Sequence, residues 1–516
     1  MVKCFMARIQ IFNLLLCFFW TTTSTSQSLL YLPLDHWAYP YLDRFVGLNL
    51  IQLDLEVRPI PRGEIVEALR PLLGSIEREE VNLSDVDQWY VEKLMVEFQR
   101  ELEIHPKKIA DRPLLEFEDG DRYFTLDTRL AGILLHQRNS DSTFTSRVSL
   151  LDLSSYGELG ERFAYDEEIT VSVRKGEGDL EVGFSDVGVT PWKDVRASIE
   201  RAYFAVDLSR FHLQIGRDRK WWGSGRFGTL LLSTNAPPID LIQFSTKIWR
   251  FRASAFTALI SPENESYLSN HRLSLSLGRK TTIGLTEAVL YHRRLPELGY
   301  LNPIIPYYAT QRNVNRDDNI FWHVNFSTFP VKRIKVYGEL LIDDFQYADR
   351  DSFPDKLGGI LGFQWFDPLG FRDTDLSGEV GRIQKWVYTQ RDTLNTYLHE
   401  DAIIGDGLGP DAERILLLIT HRWTKTLSSS IEGVSIRRGE GRDLVPWEKD
   451  RPPPHPPFPS GIVESRRSVG MGLDYEPSWW LRFSLLGRIV ALRNIGNVEG
   501  DDSNDLQVQT GVEIDF

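Results

Sequence analysis

The hydrophobic pattern changes its period once along the chain, near residue 121. Between residues 31 and 104 apolar side chains return at three- and four-residue steps: Trp37, Tyr41, Phe45 and Leu48, then Ile65, Leu69 and Leu72 after the loop Arg58-Pro59-Ile60-Pro61. Val86, Tyr90, Leu94 and Phe98 follow behind Ser84, with Asp87 three residues on as in a capping box. The spacing predicts three short amphipathic helices in one small bundle. Beyond residue 121 the period is two. Leu180, Val182 and Phe184 alternate with Glu181, Gly183 and Ser185, and Ile242, Phe244, Thr246 and Ile248 with Gln243, Ser245 and Lys247. The same alternation returns at 272–277, 320–327 and 334–343, one face apolar and the other polar, in about nineteen segments.

A sandwich also alternates, so the connections decide. Short turns at 476–478, near Thr424, at 367–371, near Val331 and near Thr281 alternate with long polar loops at 494–505, 437–465, 390–411, 345–355, 293–316 and 260–270. Turns at one end and loops at the other are the arrangement of an outer-membrane barrel, which needs an even number of strands. The pattern therefore predicts an all-β transmembrane barrel of antiparallel strands, with one of the nineteen segments miscounted, behind a small N-terminal helical bundle. Aromatic strand ends, Trp365-Phe366 and Trp479-Trp480, suit an interfacial girdle or ordinary core packing. In the last segment Leu506, Val508, Thr510, Val512, Ile514 and Phe516 share one face, and Phe516 ends the chain. A strand closing on phenylalanine resembles the signal read by the outer-membrane barrel-assembly machinery, which makes that machinery an expected partner along with outer-membrane lipid.

The N-terminus fits export. Lys3 and Arg8, then an apolar run from Ile9 to Trp20, then small residues from Thr22 to Ser26, read as a signal peptide cleaved near Ser26. The expected organisation is a signal peptide over 1–26, a periplasmic helical bundle over 27–110 and the barrel over 120–516, in the outer membrane. Both cysteines, Cys4 and Cys17, fall within the leader, so the exported chain is free of thiol and disulfide chemistry. The net charge of −14, with no basic block, excludes a nucleic-acid partner.

Candidate catalytic chemistry is sparse. Gly223, Gly225 and Gly228 match GxGxxG, but Thr229-Leu230-Leu231-Leu232-Ser233 and Pro237-Pro238 follow where a nucleotide fold needs a helix, so this is a loop. The ten histidines form no HExxH and no ligand pair, and no GxSxG elbow occurs. No metal, cofactor or catalytic residue is expected.

The segment that stands out runs from Gly216-Arg217 through Trp222-Gly223-Ser224-Gly225 to Leu230-Leu231-Leu232-Ser233-Thr234-Asn235-Ala236-Pro237, followed in order by Leu301-Asn302-Pro303, Asp318-Asn319 and Leu408-Gly409-Pro410-Asp411-Ala412. This series resembles the capsule-assembly Wzi family. The resemblance implies an 18-stranded barrel with a periplasmic helical bundle, fixing capsular or other surface polysaccharide as a lectin and not as an enzyme. Within it Trp221 and Trp222 offer aromatic faces for sugar C–H groups, and Arg217, Arg219 and Arg226 offer planar forks for acidic sugars. The alternative reading makes these side chains structural, alongside the motif residues Gly223, Gly225, Ser233, Asn235, Pro237, Asn302, Pro303, Asn319, Gly409, Pro410 and Asp411. Asp35-His36-Trp37-Ala38-Tyr39 with Gly47-Leu48 and Arg62-Gly63-Glu64 resembles one S-layer homology repeat, a unit that often grips cell-wall polymer, which would add peptidoglycan as a partner; a packed helical cap reads the same residues equally well. The rival functions are a general or sugar-selective porin and an outer-membrane polysaccharide-modifying enzyme.

Overall fold

The computed structural model describes residues 28–103, 113–139, 142–176, 189–192, 194–209, 211–278, 280–314, 316–344, 353–448 and 454–516. The expected leader, with Cys4 and Cys17, and the alternation at Leu180 to Ser185 lie outside these residues. Among the described residues eighteen antiparallel strands close into a barrel. The first six are β1 (Arg122–Arg138), β2 (Thr143–Leu159), β3 (Phe163–Lys175), β4 (Val195–Asp207), β5 (His212–Asp218) and β6 (Ile239–Ile248). There follow β7 (Phe251–Ser261), β8 (Ser266–Leu277), β9 (Thr281–Tyr291), β10 (Asn319–Val331), β11 (Ile334–Asp344) and β12 (Lys356–Phe366). The last are β13 (Thr374–Ile383), β14 (Ala412–Arg422), β15 (Leu427–Arg438), β16 (Glu464–Ser478), β17 (Leu481–Arg493) and β18 (Ser503–Asp515). Each pairs with its neighbour in sequence, and β18 returns to β1 in the register Gln509↔Leu135, leaving no free edge. The count of about nineteen carried one segment too many; short strands at Leu115–Asp119 and Val189–Trp192 pair beside β1 and β4 without entering the ring. The expected long loop at 260–270 shrinks to residues 262–265, because β7 and β8 run on through it.

Alternation sorts the wall into two faces. Ile283 and Leu285 on β9, Val324 and Phe326 on β10, Ile415 and Leu417 on β14 and Val469 and Met471 on β16 all point outward and are exposed, an apolar belt of the kind lipid covers. Their neighbours Ala288, Leu290, Phe321 and Ala412 point inward and are buried. Of the aromatic pairs, Trp480 is exposed while Phe366 is buried.

The helices lie across the short-turn end of the barrel: α1 (Ala38–Gly47), α2 (Arg62–Glu77), α3 (Asp85–Glu97) and the single turn α4 (Gln99–Leu102). The Ser84 hydroxyl accepts from the Asp87 amide at 3.0 Å, as the capping pattern predicts. The Asp87 carboxylate turns instead to Arg44, whose Nε donates to it at 2.7 Å. The helices share one core, built on Leu42, Phe45, Ile65, Leu69, Leu94 and Phe98, and they also hold to the barrel. Arg44 also reaches Asp367 at 2.9 Å in the turn after β12 and Asp375 at 2.7 Å at the start of β13, Lys93 pairs with Glu476 at 3.2 Å, and Trp89 meets Trp479 edge-on. Of the residues that resemble an S-layer repeat, Asp35 and Glu64 likewise reach the barrel, at Arg129 and Arg252, while His36 and Arg62 pair with Glu97 on α3.

Candidate functional site: a lumen divided into a packed half and a polar half

The chain between β5 and β6 folds back into the barrel, and three consecutive leucines explain why. Leu230, Leu231 and Leu232 are buried against inward residues of β6 to β13, among them Leu241, Phe256, Leu268, Phe321 and Leu341. Burial of each leucine contributes roughly 1.5–3 kcal/mol toward offsetting the entropy of ordering the loop. The loop between β13 and β14 joins the same core through Tyr388, Tyr397, Ile403 and Ile404. From the other end, residues 55–58 enter the lumen. Trp221 and Trp222 pair antiparallel with Arg58 and Val57, and the Gly223 amide donates to the Glu56 carbonyl at 2.9 Å.

Wall carboxylates hold this plug through its backbone. Glu339 on β11 accepts from the amides of Gly225 at 2.6 Å and Leu230 at 2.8 Å, and lies 3.1 Å from His323 Nε2. Glu379 on β13 accepts from the Arg226 amide at 2.8 Å, the Tyr337 hydroxyl at 3.0 Å and Arg414 at 3.1 Å. The glycines of the GxGxxG match serve this approach: a Cβ on Gly225 would stand 1.9 Å from the Gly228 carbonyl oxygen.

The sequence-selected residues sort by place. Arg217 lies on the outward face at the loop end of β5 and forms a two-pronged pair with Asp240 at 2.8 Å, so it does not reach the lumen. Arg219 donates to the carbonyls of Thr234 and Ala236 and to Glu200. Arg226 reaches Asp43 on α1 at 2.8 Å. Trp222 is 1% exposed and edge-on to Phe256, which leaves no face for a sugar. Trp221 is half-buried and lines a cavity of about 210 Å³ with Phe227, Asn235, Asp406, Leu408 and Arg414.

The remaining motif residues tie loops together. Ser233 donates to the Gly405 carbonyl at 2.6 Å and Asn235 to that of Ile403 at 2.7 Å, just before Pro237. Asn319 donates to the Asn395 carbonyl at 2.8 Å. Gly409 and Pro410 lead into Asp411, whose carboxylate accepts from the amides of Gly441 at 2.9 Å and Ser460 at 3.0 Å. Asn302 accepts from the Ile304 amide at 3.0 Å, turning the chain at Pro303. The Phe516 amide donates to Thr128 at 2.9 Å, which holds the last residue beside β1.

Electrostatics set how firmly the plug sits. Although burial works the other way, Lys335 and Arg226 hold the Asp43 carboxyl well below the usual carboxylate range. Burial and the neighbouring Asp54 push Glu56 up to about 7 against the pull of Arg272, and Glu56 Oε1 has no partner among the described residues. Burial draws the Lys220 ammonium down although it donates to Asp218 at 2.8 Å and Gln214 at 2.7 Å.

The other half of the lumen is different. The inward positions of β15 to β18 carry many polar side chains that are only partly buried, among them Glu432, Arg438, Arg466, Gln507, Gln509 and Glu513. Gln507, Gln509 and Glu513 lie opposite the apolar face that the sequence pattern marks on this strand, and the pattern did not single them out. The signal was the alternation itself; which half of the barrel the folded-in loops would fill is a long-range outcome with no local mark. Guanidinium forks and carboxamides along one wall, with Trp221 and Arg414 at its border, form a surface able to hydrogen-bond hydroxyls and carboxylates along an extended polymer.

A closed barrel with an apolar belt outside, and its own chain packed into half of its interior, is a transmembrane barrel of the outer-membrane kind, built unlike a wide-open pore. The family described as capsule assembly protein Wzi matches residues 137–455, and the chain belongs to that family. Among solved structures, Wzi of Escherichia coli, described as an outer membrane protein involved in group 1 capsule assembly and a carbohydrate-binding β-barrel, has a TM-score of 0.61 at 15% identity, covering 94% of this chain and 99% of that one. That likeness is one of fold. The Pseudomonas aeruginosa outer membrane protein OprD has a TM-score of 0.43 at 8% identity, covering 76% of this chain and 95% of the other. The outer membrane channel DcaP of Acinetobacter baumannii has 0.39 at 10%, covering 78% and 100%. No curated protein sequence matches the chain.

Proposed function

We propose that the protein sits in the outer membrane and holds capsular or other surface polysaccharide at the cell surface by binding, without turnover. The observation that carries this reading is the divided lumen: one half filled by the chain itself, the other lined by partly exposed Arg, Glu and Gln side chains. Membership of the capsule assembly family and the carbohydrate-binding description of the E. coli barrel support it. In this reading residues 1–26 are the export signal, the barrel-assembly machinery reads Phe516, the helices face the periplasm where peptidoglycan lies within reach, and the long loops face outward. Trp221 provides the stacking face beside the polar wall. Trp222, Arg219 and Arg226 hold the plug.

The polar half also favours a second reading, a narrow sugar-selective pore. Purified full chain incubated with surface polysaccharide extracted from its own cells separates the possibilities. The binding account expects retention of polymer at unchanged chain length, reduced several-fold by Trp221→Ala. Shortened polymer supports an enzyme, and no retention together with steady ion conductance supports the pore.

A further inference from the structure

The loop after β9 does not stand above the barrel. Ala288 and Leu290 of β9 belong to the lumen core, so by alternation Glu287, Val289 and Tyr291 face outward, in line with the exposed Ile283 and Leu285. Yet Glu287, Val289 and Tyr291 are all buried. What covers them is the loop itself, which folds down over the outer wall as two short helices, α5 (Leu298–Leu301) and α6 (Tyr307–Val314). Tyr300 and Tyr307 pack with Val289 and Tyr291, and Tyr308 meets the outward Trp322 edge-on at 5.5 Å.

The fit is anchored by a carboxylate that would otherwise face lipid. Glu287 accepts from the amides of Tyr307 at 2.7 Å and Tyr308 at 3.0 Å, from Trp322 Nε1 at 3.0 Å, and stands 3.2 Å from His271 Nε2. A second pin is Asp318, which accepts from Arg294 at 2.6 Å and the Tyr300 hydroxyl at 2.7 Å. A wall position that carries Glu is thus matched to backbone donors of the segment that covers it.

The outer side of this flap is apolar. Leu298 is 85% and Ile304 86% exposed, with Leu295, Leu301 and Ile305 beside them. Apolar side chains gathered so densely on an exposed loop need a partner, and here the partner is indicated by continuity: the flap rests on the same wall face whose lower residues form the lipid belt. We propose that the flap is a membrane-interface element, with Leu298 and Ile304 inserted among the acyl chains of the barrel's own outer leaflet, fixing the height and tilt of the barrel beside β8 to β10. This rests on the membrane placement proposed above.

The test uses single thiols in the full chain with Cys4→Ser and Cys17→Ser, folded into phosphatidylcholine vesicles and labelled with an environment-sensitive fluorophore. Leu298→Cys and Ile304→Cys are compared with Leu285→Cys on the belt and Val498→Cys on another loop, using lipid with a nitroxide near the carbonyl end of the acyl chain. The proposal expects quenching at 298 and 304 of at least about half that at 285, with a blue-shifted emission, and none at 498. Quenching at 285 but not at 298 or 304 overturns the flap while leaving the membrane reading intact. Absence of quenching at 285 overturns the membrane reading itself. Copies of the Leu298→Cys protein cross-linking to one another, without lipid quenching, would make the patch a contact between copies and also overturn the proposal.

Discussion

Gly225 and Trp222 show how little room single positions in the plug allow. Gly225→Ala drives a methyl group into the Gly228 carbonyl and is expected to cost about 1–3 kcal/mol. Gly433→Ala, on β15 with nothing near its Cβ, should leave the unfolding midpoint unchanged; equal loss in both would contradict the assigned role. The two tryptophans separate in the same way. Trp222→Ala removes a buried indole and should lower stability by about 3–5 kcal/mol in denaturant titration, whereas Trp221→Ala should leave the barrel folded and weaken polysaccharide retention. Glu56 and Asp43 give the pH dependence. Glu56 is held above its ordinary 4.5, so its contribution is full below 4.5 and is lost as pH rises through about 7. Asp43 is held below 3.8, so its contribution is present above that value and is lost as pH falls through the lowered one. The thermal midpoint of the intact chain should therefore decline from about pH 5 to about pH 8, and Glu56→Gln should flatten that decline without altering the acid side.

Among the elements, helices and strands were largely legible because each rests on a local period. α1, α2 and α3 fall on the predicted spacings, and the Ser84 cap forms as read, yet nothing near Asp87 foretold that its carboxylate would bind Arg44. Loops were legible only as interruptions. Residues 219–238, which carry most of the family resemblance, read as a possible ligand site; in the fold their leucines and backbone amides are spent on the lumen wall. The loop over 293–316 read as a polar external connection, while Glu287 within an outward apolar series was the mark of a covered wall. Glu287→Ala should free this flap: proteolysis within 293–316 should accelerate in vesicles while the heat-modifiable barrel persists on gels. Unchanged cleavage would mean that Tyr300 and Tyr307 hold the flap without the carboxylate.

The whole molecule is a barrel whose lumen its own chain enters from both directions, residues 55–58 behind α1 to α4 at one end and the loops after β5 and β13 from the other. This interlocking joins residues far apart in sequence, as in the contact of Asp43 with Arg226, Lys335 and Gln364, which is why no local pattern announced it. Ion conductance through the reconstituted chain should be small for eighteen strands and should rise when Leu231→Asp expels the loop from its core. The central claim, however, is attachment. It is tested most directly by deleting the protein from its own cells and measuring cell-bound against shed surface polysaccharide, with the intact chain and the Trp221→Ala chain restored in parallel. The account predicts that polysaccharide is still made but appears in the medium, that the intact chain returns it to the cells, and that Trp221→Ala does so only in part. Unchanged retention in the deleted cells would contradict it.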